Sequence, residues 1–183
     1  MSRIIFKEDQ HFRNTWLMYL LLGVSVLTIA LFTYAMIQQL GFGEQWGDEP
    51  LSDAGLIILS STMILFLLLI NAILLWAKLE IQIKENSLYY RFIPFSPAWK
   101  YIYKDEIKHF LIYETRGVFK IFRHGGYGYH YNFFTKSVSM IMPGNKIIRI
   151  ETIKGRKVFI GTNKLDEFAH SLKELGLMKE KEE

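Results

Sequence analysis

The sequence predicts an α+β membrane protein: a two-helix transmembrane hairpin followed by a seven-strand bent β-barrel or sandwich capped by a C-terminal helix. Three observations predict it. Residues 16–37 and 56–77 are uncharged apolar runs of 22 residues each. The 18 residues between them carry Glu44, Asp48, Glu49 and Asp53 and no Lys or Arg. After Ala77 the pattern changes to short apolar-polar alternations broken by turn residues, ending in one segment of helical period.

Residues 1–15 read as a short polar lead-in. At about 1.5 Å per residue, each apolar run then makes a helix of roughly 33 Å, enough to cross a hydrocarbon layer of about 30 Å. The first run is too long for a signal peptide, lacks a small-residue cleavage site at Gln38-Gln39-Leu40, and is followed by a second span. Arg3, Lys7 and Arg13 precede the first span, and Lys78 and Lys84 follow the second. That bias places both termini in the cytoplasm and the acidic loop, residues 38–55, outside. Trp16 and Trp76 fall at the inner interface and Tyr34 near the outer one, where amphipathic rings are favoured. Asn71 is the main polar outlier within the spans. In an antiparallel hairpin it should stand near Leu22 and Gly23, where a glycine would permit close helix approach and the amide would act as interhelix glue.

The cytoplasmic domain is predicted over residues 79–178, with a charged tail at 179–183. Alternation over residues 78–83 gives a strand, the turn Glu85-Asn86-Ser87 leads to a second at 88–93, and Pro94 and Pro97 end it. Residues 101–103, part of 105–113, 137–142, 146–152 and 157–161 supply five more, with turns at Pro143-Gly144-Asn145 and Lys154-Gly155-Arg156. Thr162 or Asn163 can cap a final helix carrying Leu165, Phe168, Ala169, Leu172 and Leu175, with Gly176 as its stop. Seven short strands and then one helix is the order of a pleckstrin-homology-like (PH-like) barrel.

Three segments carry a resemblance: Gln10-His11-Phe12-Arg13-Asn14-Thr15-Trp16, Gly125-Gly126-Tyr127-Gly128-Tyr129-His130, and Gly161-Thr162 before a helix. With them, nearly the whole chain resembles a bacterial family of small membrane proteins with two N-terminal spans and a C-terminal PH-like domain. That family usually shows Gly-Gly-Trp-Gly with an Arg two residues on. Tyr127 and His130 stand there instead. The resemblance implies a fold and a location at the bacterial cell membrane, as a multi-pass protein, and no activity.

The chain carries 22 Lys and Arg against 18 Asp and Glu, a net charge of +4, yet from residue 78 onward the count is 19 against 12. Basic charge on the inner side suits topology and contact with anionic headgroups, while no recognition helix or RNA-binding signature points to nucleic acid. Without cysteine there is no thiol nucleophile or Cys-based zinc site, and His11, His109, His124, His130 and His170 lack ligand spacing. No catalytic, cofactor-binding or metal-binding residue is therefore expected, and no small-molecule ligand or enzymatic activity.

Gly125-Gly126-Tyr127-Gly128 fails as a dinucleotide or phosphate loop, because Tyr131 occupies the third glycine position and no Walker lysine follows. Its glycines read instead as a bulge or positive-φ turn. Around it lie Phe119, Phe122, Tyr127, Tyr129, Tyr131, Phe133 and Phe134, and alternation puts Tyr127, Tyr129, Tyr131 and Phe133 on one side. With Lys154, Arg156 and Lys157 at a basic hairpin tip, Tyr127, Tyr129 and Tyr131 form the predicted contact surface. Lys84 and Arg91, flanking the acid-bearing first hairpin, do not make a convergent phosphoinositide site. The predicted function is a noncatalytic interaction module at the cytoplasmic membrane face, with the bilayer and another membrane protein or a second copy as partners. The alternative is a subunit or regulator of an oligomeric channel or transporter.

Overall fold

The computed structural model describes residues 3–113, 126–143 and 146–177. It divides into two compact units, Trp16–Trp76 on one side and Met1–Thr15 with Ala77–Glu183 on the other.

The first unit is a pair of long helices, α1 (Trp16–Met36) and α2 (Asp53–Trp76). A π turn, Ile37–Gly41, continues α1, so the helical segments run 26 and 24 residues and both are long and apolar enough to cross a membrane. Both are longer than the apolar runs at the loop-side end. Gln39 explains this: its Nε2 donates to the Leu51 carbonyl at 2.7 Å and to Asp53 Oδ1 at 2.8 Å, tying the end of one helix to the start of the other. Asp53 also sits in the first turn of α2, where the helix dipole favours an anion. Beside Met18 and Leu56, the residues buried in the two helices are small or polar: Ser25 and Ala35 from α1, Ser60 and Asn71 from α2. Small side chains let helix backbones approach. Only 11% and 17% of the most apolar stretches are buried, which is unlike the core helix of a soluble domain. Leu27, Leu31, Leu65, Phe66 and Leu68 are all exposed.

The second unit holds nine strands among the described residues, two more than the sequence predicts, arranged in two sheets rather than one continuous hydrogen-bonded barrel. Strands β1 (Ile4–His11), β2 (Lys78–Lys84), β3 (Ser87–Ile93) and β4 (Ser96–Tyr103) form an antiparallel sheet in that order. Strands β5 (Ile107–Tyr113), β6 (Gly128–Asn132), β7 (Ser137–Ile141), β8 (Lys146–Thr152) and β9 (Lys157–Thr162) form the other, ordered β5-β8-β9-β7-β6. Here β7 runs parallel to β9, which lies between two strands consecutive in sequence. Helix α3 (Leu165–Glu174) follows.

The supposed polar lead-in is thus a strand, β1, paired along its length with β2 from Ile4↔Lys84 to His11↔Lys78. The domain boundary moves accordingly: the β unit takes in Met1–Thr15, and the helical unit is inserted between two paired strands. The segment escapes a pattern reading because its inward positions are Phe6, Glu8 and Gln10, two of them polar, while Lys7 and Asp9 point outward. Strand β6 escapes for a related reason. It is an edge strand whose residues are half-buried or exposed, so burial imposes little alternation on it.

Leu79, Ile81 and Ile83 of β2, Leu88, Tyr90 and Phe92 of β3 and Ile102 of β4 pack inward from the first sheet, and Phe110, Val138, Met140, Ile148, Ile150, Val158 and Ile160 are buried in the second. Central strand β9 is buried from Val158 to Thr162, on both faces. Helix α3 buries Leu165, Phe168, Ala169 and Leu172, and the Phe168 ring stacks on Phe6 of β1 at 5.1 Å. Gly176, at φ +80°, ends it: its N–H donates to Lys173 O at 2.8 Å and the Leu177 N–H to Leu172 O at 3.2 Å, a Schellman closure.

Candidate functional site

The predicted contact surface divides in the structure into an interior part and an exposed part. Tyr127 is half-buried and packs on a cluster of Ile141, Ile147 and Phe159. Tyr129 is also half-buried; its hydroxyl accepts a hydrogen bond from Lys100 Nζ at 3.0 Å, its ring lies under the same ammonium at 5.2 Å, and Phe92 stands 6.3 Å away. Arg156 donates to the Tyr90 hydroxyl at 3.2 Å. These contacts join the two sheets. Burial pushes the Tyr90 hydroxyl pKa up, against the pull of the Arg156 charge, so the phenol stays neutral and accepts from the guanidinium. Tyr127, Tyr129 and Arg156 are thus each engaged within the β unit, and Arg156 also borders an open groove. The glycines at this turn take left-handed backbone, Gly126 at φ +78° and Gly128 at φ +101°, with no neighbour close to a hypothetical Cβ on Gly128. Phe119, Phe122, His124 and Gly125 lie outside the described residues, as do Gly144, Asn145 and the 179–183 tail.

The exposed part is built from two adjoining tips. Between β6 and β7 the Asn132 side chain accepts from the N–H groups of Phe134 at 3.0 Å and Thr135 at 3.1 Å, closing a tight turn. Lys136 completes it in the left-handed region at φ 48°. The turn presents Phe133 and Phe134, which are 78% and 96% exposed. Between β8 and β9, Thr152 Oγ1 accepts from the Arg156 N–H at 3.0 Å and Gly155 N–H donates to Thr152 O at 2.8 Å. That tip presents Ile153, 67% exposed, and Lys154, which approaches Glu106 at 3.7 Å. Tyr131, Phe133, Lys136, Lys154 and Arg156 line one groove of about 460 Å³. Lys154 and Arg156 also border a smaller cleft of about 180 Å³ with Tyr101, Ile102, Glu106 and Thr152. Lys157 stands opposite Glu151 across the β8–β9 ladder, and its charge is among those that lower the Glu151 pKa. Sequence reasoning found Tyr131, Lys154 and Arg156 of this groove and missed Lys136. Its signal was the turn chemistry of Asn132, which brings a cation five residues after the Tyr131 register into the same concavity.

The outer face of the first sheet carries an ion network. Glu80 is buried and bonded by Lys78 and Arg91, Asp9 lies 3.8 Å from Lys78, and the Arg91 guanidinium stacks over Trp99 at 4.4 Å. Burial alone would raise the Glu80 carboxyl pKa, but the bonds to Arg91 and Lys78 and their charges outweigh it and hold it below 4.5. Arg91 is committed here, and Lys84 lies over the Tyr89 ring at 4.5 Å.

Strand β1 and the end of β9 meet in space. Gln10 Nε2 donates to Gly161 O at 2.9 Å, and the buried Glu8 carboxylate accepts from Thr162 Oγ1 at 2.6 Å and Asn163 N–H at 2.9 Å. Thr162 Oγ1 in turn accepts from the Lys164 N–H at 3.0 Å, just ahead of α3. Lys164, and neither Thr162 nor Asn163, is the N-cap of α3, with no side-chain cap bond; Thr162 and a carboxylate 154 residues distant in sequence instead hold the turn that leads into the helix.

In the helical unit Asn71 Nδ2 donates to Ser25 Oγ at 2.8 Å and to Leu67 O at 2.8 Å. Ser25, not Gly23, is the interhelix partner. Nothing lies within 4 Å of a Cβ built on Gly23, so that glycine does not mark a close approach. Asn71 Oδ1 and Ser60 Oγ are buried without a hydrogen-bond partner. No cluster of three or more His, Asp or Glu side chains suited to a metal occurs among the described residues.

No family model matches the chain, and no curated protein or solved structure matches it.

Proposed function

We propose that this protein is a noncatalytic interaction module anchored in the bacterial cytoplasmic membrane, with both termini inside and a PH-like β unit at the cytoplasmic face. The observation that carries the reading is the insertion of two outwardly apolar helices between two paired strands. His11 pairs with Lys78 in the β1–β2 ladder, and the Phe12 N–H donates to Ala77 O at 2.9 Å. The chain thus leaves and re-enters one sheet at neighbouring points, with no linker after Trp76. A module tethered so briefly meets a membrane-bound partner at high effective concentration. The exposed aromatic-basic groove offers a surface for such contact, and the resemblance of residues 10–16, 125–130 and 161–162 to the two-span family agrees with the location.

The test is topological and then biochemical. Protease added outside intact cells should leave the β unit intact, and alkaline washing should leave the chain in the membrane; digestion or release overturns the anchored reading. Crosslinking in native membranes through the groove should give a reproducible partner. A ring-like assembly in mild detergent, with ion flux in liposomes, would replace this reading by the channel-subunit one.

A further inference from the structure

Among the described residues, the most exposed apolar side chains of the β unit sit beside a group of basic side chains. Phe133 and Phe134 project from one tip and Ile153 from the next, and the groove joining them is lined by Lys136, Lys154 and Arg156. Facing these cations, Glu106 is 3.7 Å from Lys154 and 43% exposed, so it offsets one charge in part. Asn132 and Thr152 lock both turns from within, so the side chains are presented by ordered backbone. Exposed aromatic rings beside basic groups suit one environment in particular: the headgroup layer of an anionic leaflet, where rings enter the acyl boundary and ammonium groups meet phosphates.

We propose that the β6–β7 and β8–β9 tips form a lipid-docking surface, with Phe133, Phe134 and Ile153 inserting into an anionic leaflet and Lys136, Lys154 and Arg156 binding lipid phosphates. This rests on the membrane-anchored reading above and names a partner for its contact surface. The occupant is lipid rather than an acidic protein because the exposed apolar side chains stand on two separate turns beside basic groups, which a fluid anionic interface accommodates without a shaped counterpart. Each Lys near such a surface contributes about 1 kcal/mol, so converting Lys136 or Lys154 to Gln lowers the docked-to-free ratio roughly fivefold.

The chain has no cysteine, which allows single nitroxide labels to be placed cleanly. Full-length protein carrying Phe134→Cys or, separately, Leu65→Cys is labelled and reconstituted in nanodiscs of phosphatidylcholine alone or with phosphatidylglycerol. Depth is read from the accessibility of the label to oxygen against a water-soluble nickel complex. In anionic discs the label at 134 is expected at acyl-boundary depth; in neutral discs, or with Lys136→Gln and Lys154→Gln combined, it should return to water. The label at 65 reports the spans alone. If it lies in the hydrocarbon while the label at 134 stays aqueous in anionic discs, lipid docking is overturned and the surface is left to a protein partner. If the label at 65 is itself aqueous, the anchored reading fails.

Discussion

A carboxylate withdrawn from water is costly unless donors or cations surround it, and Glu8 and Glu80 meet that requirement differently. Glu8 takes neutral donors, the Thr162 hydroxyl and the Asn163 N–H, so Glu8→Ala removes the acceptor of both and leaves the buried Thr162 hydroxyl without it. The expected loss is about 1–3 kcal/mol in denaturant unfolding. Glu80 takes cations. Its folded pKa is lowered, so it stabilises the fold fully above the ordinary 4.5 and that contribution is lost as pH falls below 4.5 through the folded value. His11 acts in the same direction at higher pH: burial, then Arg13 and Lys78, lower its pKa from 6.5, so acidification below 6.5 already weakens the folded state. Stability followed by thermal unfolding should therefore decline in two stages, and Glu80→Gln should reduce only the lower one, to which Glu151 also contributes. In the helical unit, Asn71→Ala and Ser25→Ala should each cost about 0.6–2 kcal/mol in detergent unfolding. Gly23→Ala should cost nothing, because its Cβ meets open space.

Helix α3 is the element on which the strands depend most asymmetrically. It joins the core through Leu165, Phe168 and Leu172, each worth about 1.5–3 kcal/mol when buried, and Phe168 stacks directly on β1. Phe168→Ala should destabilise by about 3–5 kcal/mol and loosen β1 first, seen as faster amide exchange from Phe6 to Gln10 than in β2 or β3. Elements with one dry face were legible beforehand: β2, β3 and α3 announce themselves through alternation or helical spacing, and the two apolar helices through length. β1 was not, since Glu8 and Gln10 point inward toward partners more than 150 residues away, which no local pattern encodes. The parallel β7–β9 pairing was equally hidden, because strand order is set by long-range burial and not by the turn between neighbours. At the groove the cations could be read from composition at a hairpin tip. What could not be read was that Tyr129 and Arg156 reach Lys100 and Tyr90 across the two sheets, because only the packed sheets bring those pairs together.

At the scale of the whole molecule, the arrangement separates a β unit with its own core from a pair of long apolar helices. The β unit is discontinuous in sequence but closed in space, since β1 supplies an edge of the first sheet, the ring under α3 and the donors and acceptors beside Gly161 and Thr162. Removing residues 16–76 and joining Thr15 to Ala77 by a short Gly-Ser link converts the insertion into an ordinary connection, because Phe12 and Ala77 are already hydrogen-bonded. That polypeptide should be monomeric in buffer without detergent and unfold in one cooperative transition. A polypeptide starting at Leu79 keeps every strand that alternation reveals and lacks β1. It leaves the β2 edge unpaired, the Phe168 ring uncovered and the Thr162 hydroxyl without its carboxylate, so it should aggregate or show molten near-ultraviolet circular dichroism. If the shorter polypeptide folded as cooperatively as the joined one, β1 would be an accessory strand. The apolar helices would then be an appendage at one end of a self-sufficient domain, in place of an insertion within it.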